Sequence, residues 1–173
     1  MKQLKANIAL SLDGFIACDD GDTNWIPNIV SKTIREEIIQ ADTLLMGVNT
    51  YNEIFEHNGY WPFKNKKTCV VSHHENRISI DETARIITES PMKAILEMKQ
   101  QADTDLLAVG GGILISSLID NGLLDMLSIY TVPVILRTGI TFLRTKTESK
   151  WKTLQTEKTD NIIHTLYEFD KTI

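Results

Sequence analysis

The chain has 173 residues, 42% of them hydrophobic and 24% charged, with a formal net charge of −5. That length suits one domain, residues 1–173, with a substantial buried core, and the acidic balance argues against a general nucleic-acid binder. No apolar run approaches the roughly 20 residues that a membrane-spanning helix needs, and residues 1–5 open no signal-like segment.

The predicted strands begin with Leu4–Leu10 and Thr43–Met46, short apolar runs of the kind buried on both faces of a parallel sheet. Lys67–Ser72, Ala84–Thr88 and Leu106–Val109 follow the same pattern, and Met126–Leu136 is longer, with Pro133 suggesting an edge or a bulge. Helices alternate with them. Ile34, Ile38 and Ile39 keep helical spacing, with Thr33 and Glu36 as a capping box. Ser90 and Pro91 form an N-cap and N1 pair for a helix through Met98, and Gly122 ends the helix that starts near Ile113. Trp151–Lys158 and Ile162–Asp170, joined by Thr159-Asp160-Asn161, read as an antiparallel hairpin. The expected class is α/β, with a mainly parallel central sheet and a C-terminal antiparallel hairpin.

Two segments carry a possible ligand chemistry. In LLAVGGGILISSLI (106–119) an apolar strand runs into Gly110, Gly111 and Gly112 and then a helix. Such a turn lets a ligand approach backbone amides while the helix aims its positive dipole end at the same spot, which suits phosphate. In DTLLMGVNTYNEI (42–54) a strand ends at Gly47, and Asn49 and Thr50 are placed to cap the helix behind it. Two such seats in one small α/β chain suggest an extended ligand with more than one phosphate, bound at the carboxyl ends of the strands. No zinc spacing accompanies Cys18 or Cys69, and the adjacent His73 and His74 cannot both face one metal from a regular strand, so no metal site is expected. Two lone thiols fit a reducing, cytoplasmic setting.

Ser11-Leu12-Asp13-Gly14-Phe15-Ile16-Ala17 is similar to the S-x-D-G-x-I-A signature of the riboflavin-biosynthesis reductase domain. LLMGVNTY (44–51), KTCVVS (67–72) and AVGGGILI (108–115) resemble matching strands and turns of dihydrofolate reductases, and residues 121–143 resemble the riboflavin-type pattern of Gly-Leu-Val-Asp-Glu, strand and glycine loop. The resemblance implies a stand-alone three-layer dihydrofolate reductase-like domain that takes hydride from NADPH. Gly47, Asn49 and Thr50 would line the adenosine and phosphate side, Gly110, Gly111, Gly112 and Ile113 the pyrophosphate, and Ser72 the adenosine phosphate. Val48 stands where many folate reductases carry Arg; Lys64, Lys66, Lys67, His73, His74 and Arg77 are the nearby sources of charge.

For the chemistry itself the resemblance points to Asp13 and Trp25. Asp13 reads either as an acid or anchor, or simply as the corner of an Asp-Gly turn; Trp25 reads either as a border of the active site or as core packing. Folate reductases place an acid early in the next helix, but Ile26-Pro27-Asn28-Ile29-Val30 has none. The riboflavin-type reductase has Lys before the Trp and Glu before its glycine pair, where this chain has Asn24 and Gly110. The expectation is reduction of a small heterocycle, with a riboflavin-pathway pyrimidine favoured over dihydrofolate and a non-catalytic nucleotide-binding protein as the alternative of another class. The long apolar run Ser128–Leu136, read as an exposed edge, together with the dimeric habit of the domains it resembles, points to a homodimer.

Overall fold

A computed structural model describes residues 2–72 and 81–171. Ten strands and four helices are described: β1 (Leu4–Ser11), β2 (Phe15–Ala17), α1 (Asn28–Gln40), β3 (Thr43–Gly47), α2 (Val48–Asn58), β4 (Lys67–Val71), β5 (Ala84–Ile87), α3 (Pro91–Gln101), β6 (Leu106–Ala108), α4 (Gly112–Asp120), β7 (Met126–Val132), β8 (Ile140–Thr141), β9 (Trp151–Thr159) and β10 (Ile162–Phe169). Eight of the strands form one sheet in the order β5-β4-β3-β6-β1-β7-β10-β9, while β2 and β8 pair separately. Strands β5 through β7 run parallel, and the hairpin β9–β10 adds antiparallel to β7.

The helices divide between the two faces, making three layers. Ile95 of α3 and Leu114, Ile115, Leu118 and Ile119 of α4 pack on Leu4, Ala6, Leu45, Leu106 and Ala108. On the opposite face Ile38 of α1 and Tyr51 of α2 pack on Leu44, Met46, Val70 and Leu107. Alternation along each strand sends neighbouring side chains to opposite faces, which is why Leu44 and Leu45 serve different layers. Each is fully buried, worth about 1.5–3 kcal/mol in transfer terms.

Several local details differ from the sequence expectations. Helix α1 begins at Asn28 behind Pro27, so Thr33 lies inside it and donates to the Ile29 carbonyl rather than capping. Helix α2 begins at Val48 with Gly47 as its N-cap, so Asn49 and Thr50 stand in the first turn and make no side-chain cap. Ser90 does precede Pro91, but in a left-handed conformation (φ 43°) without a side-chain cap. Gly122, at φ 61°, does close the end of α4, donating to Ile119. The largest correction concerns Ser128–Leu136. Its strand ends at Val132 and lies between β1 and β10, so the C-terminal hairpin covers it within the chain and Pro133 falls just past the strand. The end strands of the sheet are β5 and β9.

The amino end of the sheet is tied by a buried charge cluster. Lys99 (2% exposed) donates to Asp125 and to the Leu123 carbonyl, while Asp125 also accepts from the Leu4 amide and from Lys171. Burial pushes the Asp125 carboxyl up, but Lys99, the Leu4 amide and Lys171 outweigh it and hold the group below the usual carboxylate range. One carboxylate thus joins α3, β1 and the C-terminal segment.

Candidate active site

The carboxyl ends of β3 and β6 are adjacent, and the chain leaves them towards opposite faces, into α2 and α4. That is a topological switch point, where open α/β sheets bind ligands. Both helices start there on glycine. Gly111 is the N-cap of α4 at φ 82°, a conformation that an L side chain adopts only with strain. A Cβ placed on it would stand 3.4 Å from Thr50 Oγ1 and 3.9 Å from the Gly47 nitrogen. The two glycine turns, more than sixty residues apart in sequence, therefore face each other across a gap kept free of side chains. Their free N–H groups and dipole ends make this a seat for an anionic ligand.

Gly110 (φ 72°) lies beside the Thr50 methyl, and Ile113 in the first turn of α4 is 65% exposed. Leu12 and Ile135, 59% and 66% exposed, follow the ends of β1 and β7 at the same edge of the sheet. Gly112 has a different task. Its added Cβ would meet the Phe142 carbonyl oxygen at 2.3 Å, so this glycine lets α4 pack on the segment beyond β8. Asn49 is exposed, and Ser72 is buried at the end of β4 with its amide on Ile87. Among the expected charges, Lys66 donates to the carbonyls of Ile39 and Ala41 at the end of α1, and Lys64 pairs with Asp81. Both are thus occupied in the fold; His73, His74 and Arg77 lie outside the described residues.

Asp13 sits at the turn between β1 and β2. Ser11 Oγ donates to it at 2.8 Å, as do the amides of Arg137 at 2.8 Å and Leu136 at 3.2 Å. Burial raises its carboxyl, yet these hydrogen bonds, Ser11 and Arg137 ahead of Leu136, hold it below its ordinary range. A carboxyl held ionised in this way anchors the loop after β7, with Arg137 at φ 71°, and is a poor proton donor near neutrality. Trp25 packs half-buried against Ala9, Val30, Tyr130 and Ile162, and its indole Nε1 is buried without a partner among the described residues. The first turn of α1 carries no acidic residue.

A polar group that the sequence did not disclose lies on the same face. Asn7, Ala9 and Ser11 of β1 share that face with their register partners Ser128, Tyr130 and Val132 of β7. Glu37 of α1 accepts from Asn7 Nδ2 at 2.5 Å on one oxygen and from the Tyr130 hydroxyl at 3.0 Å on the other. Tyr130 stacks on His164 of β10 with centroids 4.4 Å apart, and His164 Nε2 shares a 2.8 Å hydrogen bond with Ser128. Burial, then the Glu37 charge, pushes the Tyr130 hydroxyl up to about 12, so it remains a donor throughout the physiological range. Only the buried Asn at position 7 of an otherwise apolar strand could have hinted at this cluster.

Residues 2–165 match the model of the RibD C-terminal domain. The chain is 28% identical over 136 residues to the uncharacterized protein YwjB of Bacillus subtilis (strain 168), covering 77% of this chain and 78% of that one. Among solved structures it superposes with a TM-score of 0.83 on a Shewanella sp. PV-4 protein assigned to riboflavin biosynthesis, at 22% identity and covering 98% and 99% of the two chains. A diaminohydroxyphosphoribosylaminopyrimidine deaminase/5-amino-6-(5-phosphoribosylamino)uracil reductase from Thermotoga maritima gives 0.74 at 16% identity, over 98% of this chain and 57% of that one. Dihydrofolate reductase from Enterococcus faecalis, in complex with NADP(H), gives 0.72 at 17% identity over 98% and 97%. The fold is that of the dihydrofolate reductases.

Proposed function

The chain belongs to the RibD C-terminal domain family, and from that premise we propose that it is an NADPH-dependent reductase of a small heterocycle, of the riboflavin-pathway pyrimidine type. The observation that carries the reading is the side-chain-free gap between the starts of α2 and α4, with Gly111 at its centre. A dinucleotide's phosphates fit such a gap, with Gly47, Asn49, Thr50, Gly110, Gly111 and Ile113 around them and Ser72 at the adenosine end. The neighbouring dihydrofolate reductase binds NADP(H), which supports the same cofactor here.

A bound nicotinamide supplies a hydride; the chain's own residues bind, orient and exclude water. Ile113, Leu12 and Ile135 offer exposed apolar surface at the strand ends. Trp25 with Ala9, Val30 and Tyr130 forms an apolar layer under α1, where a flat ring can lie. Asp13 keeps the loop after β7 in register with the β1–β2 turn. Neither Asp13 nor Tyr130 suits the role of proton donor, for opposite reasons: the first is already ionised and the second does not release its proton. The proton that completes reduction then comes from water at the open edge.

Dihydrofolate is disfavoured because the first turn of α1 has no acid to hold a pterin. The decisive experiment follows NADPH absorbance with an aminopyrimidine and with dihydrofolate as separate substrates. Consumption with the pyrimidine alone supports the proposal; brisk consumption with dihydrofolate overturns its substrate half. Cys18 and Cys69 are both free thiols, which fits a cytoplasmic enzyme, and we retain the homodimer as part of the proposal on the family resemblance.

A further inference from the structure

The mechanism above leaves Asn7 unexplained. Asn7 is 3% exposed in the middle of a central strand, where an apolar side chain would be the default. Its Nδ2 is fixed on Glu37, so its Oδ1 is turned the other way, and that oxygen is buried with no partner among the described residues. A buried acceptor without a donor costs about 1–3 kcal/mol, and such groups in a well-packed fold call for a specific reason. Flipping the amide would not relieve it, because the carbonyl would then face an oxygen of Glu37.

Glu37 itself has no freedom to turn away. Tyr130 holds its second oxygen with a hydroxyl that stays protonated, and the Tyr130 ring is in turn stacked on His164. Four elements, α1, β1, β7 and β10, thus lock one carbonyl oxygen in one orientation. In the same layer the Trp25 indole Nε1 is a buried donor without an acceptor. An unpaired acceptor and an unpaired donor on one apolar layer are complementary to a ring edge that carries N–H beside C=O.

We propose that Asn7 is the specificity-determining acceptor of the substrate site, receiving a ring N–H from a cyclic amide or imide, with Glu37 and Tyr130 as the residues that position it. The inference deepens the reductase reading and rests on it. It narrows the substrate class to lactam- or imide-containing heterocycles and excludes simple carbonyl compounds without an N–H.

The test is a tryptophan-fluorescence titration of the full chain with diaminouracil and with its ring-N-methylated analogue, run beside an NADPH titration. The parent is expected to prefer the unmethylated ring by roughly tenfold, the worth of one buried hydrogen bond. In Asn7→Leu that preference should fall to about one while NADPH affinity is unchanged. Glu37→Gln, which lets the Asn7 amide turn over, should lower the preference too and serves if Asn7→Leu does not fold. A parent that binds both rings equally, binds neither while holding NADPH, or a preference that survives in both variants, overturns the assignment. Failure of the parent to bind NADPH strikes the reductase reading instead.

Discussion

The two halves of the candidate site are built from different materials. Around β3 and β6 the working surface is backbone: glycine turns, helix starts and a gap that must stay empty. Around β1, β7 and α1 it is side chains: Asn7, Glu37, Tyr130, His164 and the indole of Trp25, buried in one layer and mutually oriented. A backbone seat recognises what all dinucleotides share, their phosphates. A side-chain layer recognises what distinguishes one ring from another. A fold that keeps the first and varies the second can change substrate without changing cofactor.

Substitutions can separate the two halves from each other and from the scaffold, beginning with the largest effect. Asp125→Asn strands the buried Lys99 at the amino end of the sheet, away from both halves. It is expected to cost about 3–5 kcal/mol of stability, read by urea denaturation, with cofactor affinity unchanged in whatever protein remains folded. Because the folded carboxyl is held below its ordinary range, its contribution is present above the unfolded value of about 4 and is lost as the pH falls through the folded one. The gap between parent and variant should accordingly close on acidification.

Gly112→Ala drives a methyl into the Phe142 carbonyl. A cost of about 1–3 kcal/mol is expected for overpacking, with cofactor binding affected only through stability. Thermal melts with and without NADPH check this: the shift caused by NADPH should match the parent's. Asp13→Asn should have a smaller effect, raising substrate KM by loosening the loop at Leu136 and Arg137. Its pH–rate profile should keep the parent's shape; a lost acid limb would make Asp13 the proton donor. Dimerisation has the least bearing on the site. Light scattering at micromolar concentration should give twice the 19.6 kDa chain mass, and the monomer mass would refute it.

The contrast also explains what could be read from the chain. Gly47 and Gly110–Gly111 announce a turn locally, because only glycine enters φ 82° without penalty, and their place after apolar runs marks strand ends. Parallel strands, helices and hairpin follow from periodicity in the same local way. The side-chain half is assembled over long separations: Asn7 meets Glu37 thirty residues on, and Tyr130 meets Glu37 across ninety-three. No local pattern encodes such meetings. Ser128–Leu136 misled for a related reason, since an apolar run does not say whether its partner is another chain or the hairpin that follows. Asp13 was legible as a turn residue, but its bonds to residues more than a hundred positions away were not.

The most direct test of the backbone seat is NADPH titration of Gly111→Val beside the parent, with circular dichroism to establish folding. The β-branched side chain would fill the gap facing Thr50 and Gly47. The parent is expected to bind NADPH and the folded variant to lose at least tenfold in affinity, more than 1.4 kcal/mol of binding free energy by the usual conversion of about 1.4 per decade. A folded Gly111→Val that binds NADPH as tightly as the parent would contradict the site.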